Sequence, residues 1–237
     1  MKETKYHNNK INVASIAIEF RGSIEDHTLQ TIKNKIFNDY PIIDEVKTFD
    51  LSFAHDDSKG IVTYNGYKLT DEKMKYSVTI VGKQITFHQL GTYTSFADFT
   101  SKFVVVENIC SEFLPKKLVT RIDFRKSNEF IFPTDKDFTN NLKYVSKLDK
   151  GDFMYSKKTS ANTHLRRKID DKIYNLLIRQ SEVATRDVNL TISGHLLINN
   201  EKFSDLGSIK NRLLEVNENI NHIFKDSTTA HLKQQLK

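Results

Sequence analysis

The stretch SFADFTSKFVVVENICSEFLP, residues 95–115, has the clearest structural pattern in this chain. Its apolar residues are spaced 3, 4, 3, 4 and 3 apart, as in an α-helix with one buried face. These residues are Phe96, Phe99, Phe103, Val106, Cys110 and Phe113. Ser95 and Asp98 form an S-x-x-D capping box at its start, and Pro115 lies just past its end. The pattern predicts a long helix packed on a core.

Cys110 is the single cysteine of the chain, and it lies in this apolar stripe. The position favours a small core residue over a nucleophile. One cysteine also excludes an intramolecular disulfide framework and a multi-cysteine zinc site, and it fits a reducing compartment.

A second stripe has the same spacing. Its members are Leu206, Ile209, Leu213, Val216, Ile220 and Ile223, each 110 positions after its counterpart in the first stripe. Ser204 is its predicted cap. Any core-facing helix can show such a stripe, but the elements that precede the two helices also follow one order. We therefore predict a duplicated unit, with residues 1–115 as the first copy and 116–237 as the second, more basic copy.

The predicted unit is β-α-β(4)-α, so the fold class is α+β. In the first copy we predict a strand at 11–22, a helix at 26–39, and strands at 45–54, 60–68, 74–82 and 84–90. In the second we predict a strand at 116–131, a helix at 136–148, and strands within 151–198 that break near Asn162, Asp170 and Ser181. The copies should form one pseudo-symmetric body in which the long helices cover one face of an antiparallel sheet. In fold order alone, this resembles the duplicated unit of the TATA-box-binding protein.

Common catalytic motifs are absent from the sequence: it contains no Gly-rich phosphate loop, H-E-x-x-H, G-x-S-x-G or C-x-x-C. We expect no cofactor and no bound metal. The polar start and the lack of a long apolar run favour a soluble, cytoplasmic protein that does not bind membranes.

Charge is unevenly distributed along the chain. Residues 1–115 carry 13 Lys and Arg against 15 Asp and Glu, whereas residues 116–237 carry 23 against 15. The excess lies in residues 116–179, with 16 basic against 8 acidic residues. Such a bias can attract an anionic partner, although a well-solvated surface has the same composition.

The strand LVTRIDFRKSNEFIFP, residues 118–133, alternates apolar and charged residues. Leu118, Thr120, Ile122 and Phe124 are expected on the core face, and Arg121, Asp123 and Arg125 on the other. The charged row is either a mutually neutralised surface or part of a binding site.

Two further segments add candidate binding residues. The segment HLRRK contributes Arg166, Arg167 and Lys168. The strand at 185–198 carries a polar row that ends in His195. Both rows are also what a one-sided antiparallel sheet needs for solubility.

These motifs resemble a sporadically distributed family of uncharacterised bacterial proteins. The family pairs an aromatic helix like YTSFADFTSKF with a strand of the R-I-G-L-R-Y-I-N kind, which here reads RIDFRKSN, so that Asp123 and Lys126 depart from its pattern. It ends in a segment like LLEVNENINHIFKDSTT, usually with His where this chain has Asn217. The resemblance implies no catalytic residues, and its patchy occurrence suggests antiviral defence or a toxin–antitoxin system.

Together these features predict a non-enzymatic binding protein that holds a protein partner, with nucleic-acid binding through residues 116–179 as the alternative. The candidate contact residues are Arg121, Asp123, Arg125, Arg166, Arg167, Lys168 and His195. An enzyme built from Arg121, Asp123, Arg125 and His195 is a third possibility, and self-association is left open.

Overall fold

The computed structural model describes residues 11–53, 59–132, 160–169, 171–181 and 186–228. Its strands are β1 (Ile11–Phe20), β2 (Ile42–Phe53), β3 (Lys59–Thr70), β4 (Tyr76–Val81), β5 (Gln84–Leu90), β6 (Leu118–Phe132), β7 (Ser160–Ile169), β8 (Lys172–Ser181) and β9 (Arg186–Lys202). Its α-helices are α1 (Asp26–Ile36), α2 (Phe96–Phe113) and α3 (Ile209–Ser227).

All nine described strands form one antiparallel sheet in the order β2-β3-β4-β5-β1-β6-β9-β8-β7. The first strands of the two sequence halves, β1 and β6, pair at its centre. The α+β class is thereby confirmed. The division into two pseudo-symmetric repeats stays a prediction, because the described part of the second half has three strands after β6 where four were predicted. The predicted helix at 136–148 lies outside the described residues.

Strand limits within the second half agree with the sequence at two of three places. β7 ends at Ile169 and β8 begins at Lys172, close to the predicted break at Asp170. β8 ends at Ser181, the position of the other predicted break, and β9 begins at Arg186. The predicted break near Asn162 is wrong, because this residue lies inside β7 and pairs with Arg179. An asparagine in a paired strand does not by itself create a turn.

Helix α2 has the predicted cap and buried face. The Asp98 backbone N–H donates to Ser95 Oγ at 3.1 Å, and Thr94 Oγ1 donates to Asp98 Oδ2 at 2.6 Å. Cys110 is fully buried, and burial raises the pKa of its thiol well above the usual range. Because a reactive cysteine needs an accessible thiolate, this supports the prediction of a core residue.

Helix α3 begins later than its stripe suggests. The Ser208 hydroxyl, not Ser204, accepts from the Asn211 backbone N–H at 3.3 Å. Phe203–Asp205 forms a short 3-10 helix instead, and Gly207 follows it with φ +66, a left-handed value that favours glycine. The predicted cap at Ser204 is therefore wrong: Leu206 is buried, but it lies before the helix rather than in it.

The three described helices pack on one face of the sheet. Phe99 of α2 contacts Phe87 and Phe124 with ring centroids 5.5 and 5.9 Å apart, and these two rings project from the same sheet face. On α1, Gln30 donates to the Tyr67 hydroxyl of β3, and α3 lies closely over Gly194 of β9. We call the opposite side of the sheet the polar face, because Glu19, Arg121, Asp123, Arg125 and His195 alternate onto it.

The charged strand β6 departs from simple alternation at its start. In its pairing with β1, Val119 lies opposite Phe20 and Arg121 opposite Glu19, so β6 has one extra residue there, which marks a β-bulge. Val119 is fully buried, whereas Leu118 and Thr120 are half-buried. The expectation that Leu118 and Thr120 join Ile122 and Phe124 on the core face is therefore wrong, because the extra residue in the bulge resets which side chains face the core.

Among the residues that the structure describes, no helix combines the length and the apolar character needed to cross a lipid bilayer.

Candidate partner-binding face

The strand order brings most of the predicted site residues onto the polar face. Arg121, Asp123 and Arg125 alternate there on β6, and His195 lies directly opposite Asp123 on the neighbouring β9. β8 pairs with β9, and β7 with β8, so Arg166 and Lys168 of β7 share this face two strands further on. Residues separated by about 70 positions in sequence thus occupy one surface.

Arg167 is the exception. It pairs with Tyr174, whose buried ring belongs to the core on the helix side of the sheet. Strand alternation therefore places Arg167 on the opposite face from Arg166 and Lys168, although all three are exposed. The HLRRK segment thus does not act as one basic patch.

A chain of ion pairs crosses the polar face from the turn between β4 and β5 to β6. Lys83 Nζ lies 2.8 Å from Glu19 Oε1, and Arg121 NH2 lies 2.9 Å from Glu19 Oε2. Arg121 Nε also lies 3.0 Å from Asp123 Oδ1. The two carboxylates are mostly buried, each with a side chain at most 18% exposed, so their charges are largely neutralised by these contacts. The charged ladder predicted for β6 is thus paired at Arg121 and Asp123, with Glu19 as an additional member.

A hydrogen-bonded chain continues from Asp123 to β9. Asp123 Oδ1 lies 2.6 Å from His195 Nδ1, and His195 Nε2 lies 3.2 Å from Ser193 Oγ. An ionised Asp123 favours the tautomer with the proton on Nδ1, so that Nε2 accepts from the Ser193 hydroxyl. The order of groups is that of a serine hydrolase triad.

Among the described residues, the backbone around Ser193 offers no oxyanion site. Ser193 lies in the middle of β9 and pairs with Arg125 of β6 and Asn175 of β8. Backbone N–H groups of a doubly paired strand donate to the neighbouring strands, so they cannot converge on a substrate oxyanion. The chain from Asp123 to Ser193 is better suited to hold a fixed set of hydrogen-bonding groups on the surface.

The remaining basic residues of this face have no described counter-charge. Arg125 is exposed, and within the described part of the chain it forms no ion pair. The same holds for Arg166 and Lys168 near the sheet edge. Glu129 of β6 alternates onto the same face four residues after Arg125, so this half of the polar face carries charges of both signs. Arg125, Arg166 and Lys168 are exposed cations on it that have no described ion pair.

His88 of β5 lies on the polar face one strand beyond β1, opposite Ser15. Burial and the nearby charges of Lys68 and Arg125 lower the pKa of His88 from 6.5 to about 4. Its imidazole is therefore neutral at physiological pH and adds no charge to the face.

The low pKa of His88 predicts a pH-dependent stability. The unfolded chain takes up a proton near pH 6.5 and the folded chain only near pH 4, so the free energy of unfolding should fall as pH drops through this window. We expect His88→Gln to weaken this dependence, measured by urea unfolding at a series of pH values. Equal pH dependence in both proteins, or an imidazole NMR titration of His88 near pH 6.5, would contradict the expectation.

Sequence reasoning missed Glu19 and Asn175. Glu19 is the only charged residue of β1, flanked by the buried Ile18 and Phe20, and a lone charge in an apolar strand could have indicated a paired group. Asn175 Oδ1 of β8 accepts a hydrogen bond from His164 Nε2 at 3.3 Å, and nothing in the sequence context of Asn175 distinguishes it.

Two residues that depart from the resembled family pattern, Lys126 and Asn217, contact each other beneath the sheet. Lys126 Nζ donates to Asn217 Oδ1 at 2.7 Å and to Asn221 Oδ1 at 3.0 Å. It also lies 4.9 Å from the centroid of the Tyr93 ring. Lys126 therefore belongs to the buried side of β6 and not to the polar face, although the sequence places it beside Arg125.

Comparison with known proteins does not extend this description: no protein-family model matches the chain, and no curated protein matches it.

Proposed function

We propose that this is a non-enzymatic protein that binds an acidic protein partner on the polar face of its sheet. The proposed contact surface is the part built by β6, β9, β8 and β7. The proposed setting, a cytoplasmic defence or toxin–antitoxin module of bacteria, rests on the resemblance of its motifs alone.

The observation that carries the proposal is a group of three exposed cations on this surface that have no described ion pair. Arg125, Arg166 and Lys168 have no described ion pair, whereas Asp123 is held by Arg121 and His195. Such cations beside fixed hydrogen-bonding groups favour a partner that brings carboxylates, because complementary charge speeds association and gives specificity.

The chemistry of the surface favours a protein over a nucleic acid. Among the described side chains of β5, β1, β6, β9, β8 and β7, no Phe or Tyr alternates onto the polar face, since the rings of Phe87, Phe124 and Tyr174 lie on the helix side. Proteins that hold single-stranded nucleic acid on a sheet generally stack bases on aromatic rings. Nucleic-acid binding through the basic region remains the second candidate, supported by the exposed positions of Arg166 and Lys168.

Charge reversal on one face tests the proposal. The variant Arg125→Glu/Arg166→Glu changes two residues of the polar face, and the matched control Lys116→Glu/Arg167→Glu makes the same change in net charge at two exposed positions elsewhere. We expect the tagged protein and its control to retain a partner from the native host, and the face variant to lose it. Mass spectrometry would identify the partner, and titration calorimetry with the purified partner would then compare the three proteins.

The proposal fails if the control loses the partner as fully as the face variant, because binding would then depend on overall charge. It also fails if the wild-type protein is monomeric and retains no partner. If the partner is no longer recovered after nuclease treatment, and its recovery falls steeply as the salt concentration rises, the nucleic-acid alternative is favoured. Circular dichroism of each variant ensures that a loss of binding is not a loss of folding.

A further inference from the structure

We infer that the partner is bound as an extended acidic segment that crosses the strands, with two carboxylates four residues apart. This inference rests on the proposed function and specifies the chemistry of its ligand. It starts from one cross-strand row of the polar face, which we call the arginine row: Arg125, Ser193, Asn175 and Arg166.

The arginine row follows from the strand register. Arg125 lies opposite Ser193, Ser193 opposite Asn175, and Asn175 opposite Arg166, on the successive strands β6, β9, β8 and β7. Neighbouring strands are about 4.8 Å apart, so the two arginines, three strands apart, start about 14 Å from each other. Two guanidinium groups that have no ion pair among the described residues thus lie at the ends of a row whose middle is polar and uncharged.

An extended peptide matches this spacing. It rises about 3.4 Å per residue and its side chains alternate, so residues i and i+4 point to the same side about 14 Å apart. In an α-helix, the same-side residues i+7 and i+11 lie about 10 and 16 Å away, and neither separation equals that of the arginines. Carboxylates at i and i+4 of an extended segment can therefore each meet one guanidinium in a paired hydrogen-bonding geometry.

The middle of the row suits the residue between the two acids. Residue i+2 would point at Ser193 and Asn175. Ser193 is only 7% exposed and its hydroxyl contacts His195, whereas the half-buried Asn175 presents its amide N–H. Ile173 and Leu177, on the same strand and face as Asn175, lie half-buried on either side of it. A small or hydroxyl-bearing residue at i+2 would thus be hydrogen-bonded between two apolar walls, a common composition for an interface centre.

Synthetic peptides of one composition test the spacing. One carries Glu at i and i+4 in a Thr- and Val-rich background, and a second carries the same residues with the acids at i and i+3, so that they point to opposite sides. In fluorescence anisotropy at low salt, the wild-type protein should bind the i, i+4 peptide about tenfold more tightly than the i, i+3 peptide. This corresponds to a difference in binding free energy of about 1.4 kcal/mol.

Variants of the row assign the binding to its arginines. Arg125→Gln and Arg166→Gln should each reduce binding of the i, i+4 peptide to the level of the i, i+3 peptide. Arg167→Gln, which removes an equal charge from the neighbouring position on the other face, should leave it unchanged. Equal affinity for both peptides, or an equal loss in Arg166→Gln and Arg167→Gln, would overturn the inference.

The outcomes separate this inference from the proposed function. If neither peptide binds, but the native partner is still lost in Arg125→Glu/Arg166→Glu, the extended segment is wrong and the binding face stands. If an oligothymidylate competes better than the i, i+4 peptide, the ligand chemistry is a phosphate backbone and the inference is wrong. If the native partner binds the face variant normally, both are wrong.

Discussion

Asn217→Leu is expected to lower the free energy of unfolding by about 2–4 kcal/mol, because it removes a hydrogen-bond acceptor from a buried ammonium group. Lys126 is only 4% exposed and Asn217 only 6%, and their polar atoms lie 2.7 Å apart between β6 and α3. Leucine has the same number and branching of side-chain heavy atoms as asparagine and is the larger residue, so the substitution leaves no cavity and the loss reflects the charge. Urea unfolding followed by circular dichroism measures the change.

A double-mutant cycle isolates the contact between the two residues. In Lys126→Met/Asn217→Leu, an apolar pair replaces the charged one, and such exchanges are often neutral. The double variant should therefore be more stable than Asn217→Leu alone, with a coupling energy of at least about 1 kcal/mol. If the free energy of unfolding of Asn217→Leu lies within about 0.5 kcal/mol of the wild-type value, this account is contradicted, because changes of that size are usual for surface substitutions.

Gly194→Ala is expected to destabilise the protein by about 1–3 kcal/mol through overpacking. A methyl group at Gly194 would clash with Val216 Cγ1 of α3 and would lie 3.1 Å from Tyr174 Cε1. Tyr174 is itself fixed in the core, with its hydroxyl accepting from Asn219 Nδ2 at 2.8 Å. The helix or β9 must shift to admit the methyl, and denaturant unfolding would measure the cost.

The effect of Gly194→Ala should also reach the polar face. Gly194 lies between Ser193 and His195 on β9, so a shifted strand would disturb their contact and the arginine row. Val216→Ala should lower the free energy of unfolding less in the Gly194→Ala protein than in the wild type, because this substitution removes the methyl group that clashes with the side chain introduced at position 194. Ser193→Ala is the control on the same strand, and we expect it to change stability little. Additive losses in Gly194→Ala/Val216→Ala would show that the two residues do not compete for space.

The helical elements were the most predictable part of this fold. The 3, 4, 3, 4 spacing in residues 96–113 follows from helix geometry alone, and the capping box of Ser95 and Asp98 has a local cause. At α3, the same spacing predicted the buried face but not the start of the helix. The left-handed turn at Gly207 separates Leu206 from the helix, and apolar spacing does not register such a turn.

The site was predictable residue by residue but not as an arrangement. Alternation correctly placed Arg121, Asp123 and Arg125 on one side of β6, because side-chain period is a local property of a strand. It could not pair Asp123 with His195, since the pairing of β6 with β9 depends on contacts about 70 residues apart in sequence. It also could not tell which of Arg166 and Arg167 shares the face of Arg125, because which side of β7 faces the helices depends on how the sheet packs.

The sequence by itself determined the α+β class, the buried faces of α2 and α3, and the basic character of the second half, since composition and periodicity are carried by neighbouring residues. Only the tertiary structure decided the strand order β2-β3-β4-β5-β1-β6-β9-β8-β7 and the register within it. That register places Arg125 and Arg166 at the ends of one row, where neither forms an ion pair within the described part of the chain, while Arg121 is neutralised by Glu19 and Asp123. The physical reason is that charge neutralisation depends on distance in space, and distances across a sheet are set by pairing between segments far apart in the chain.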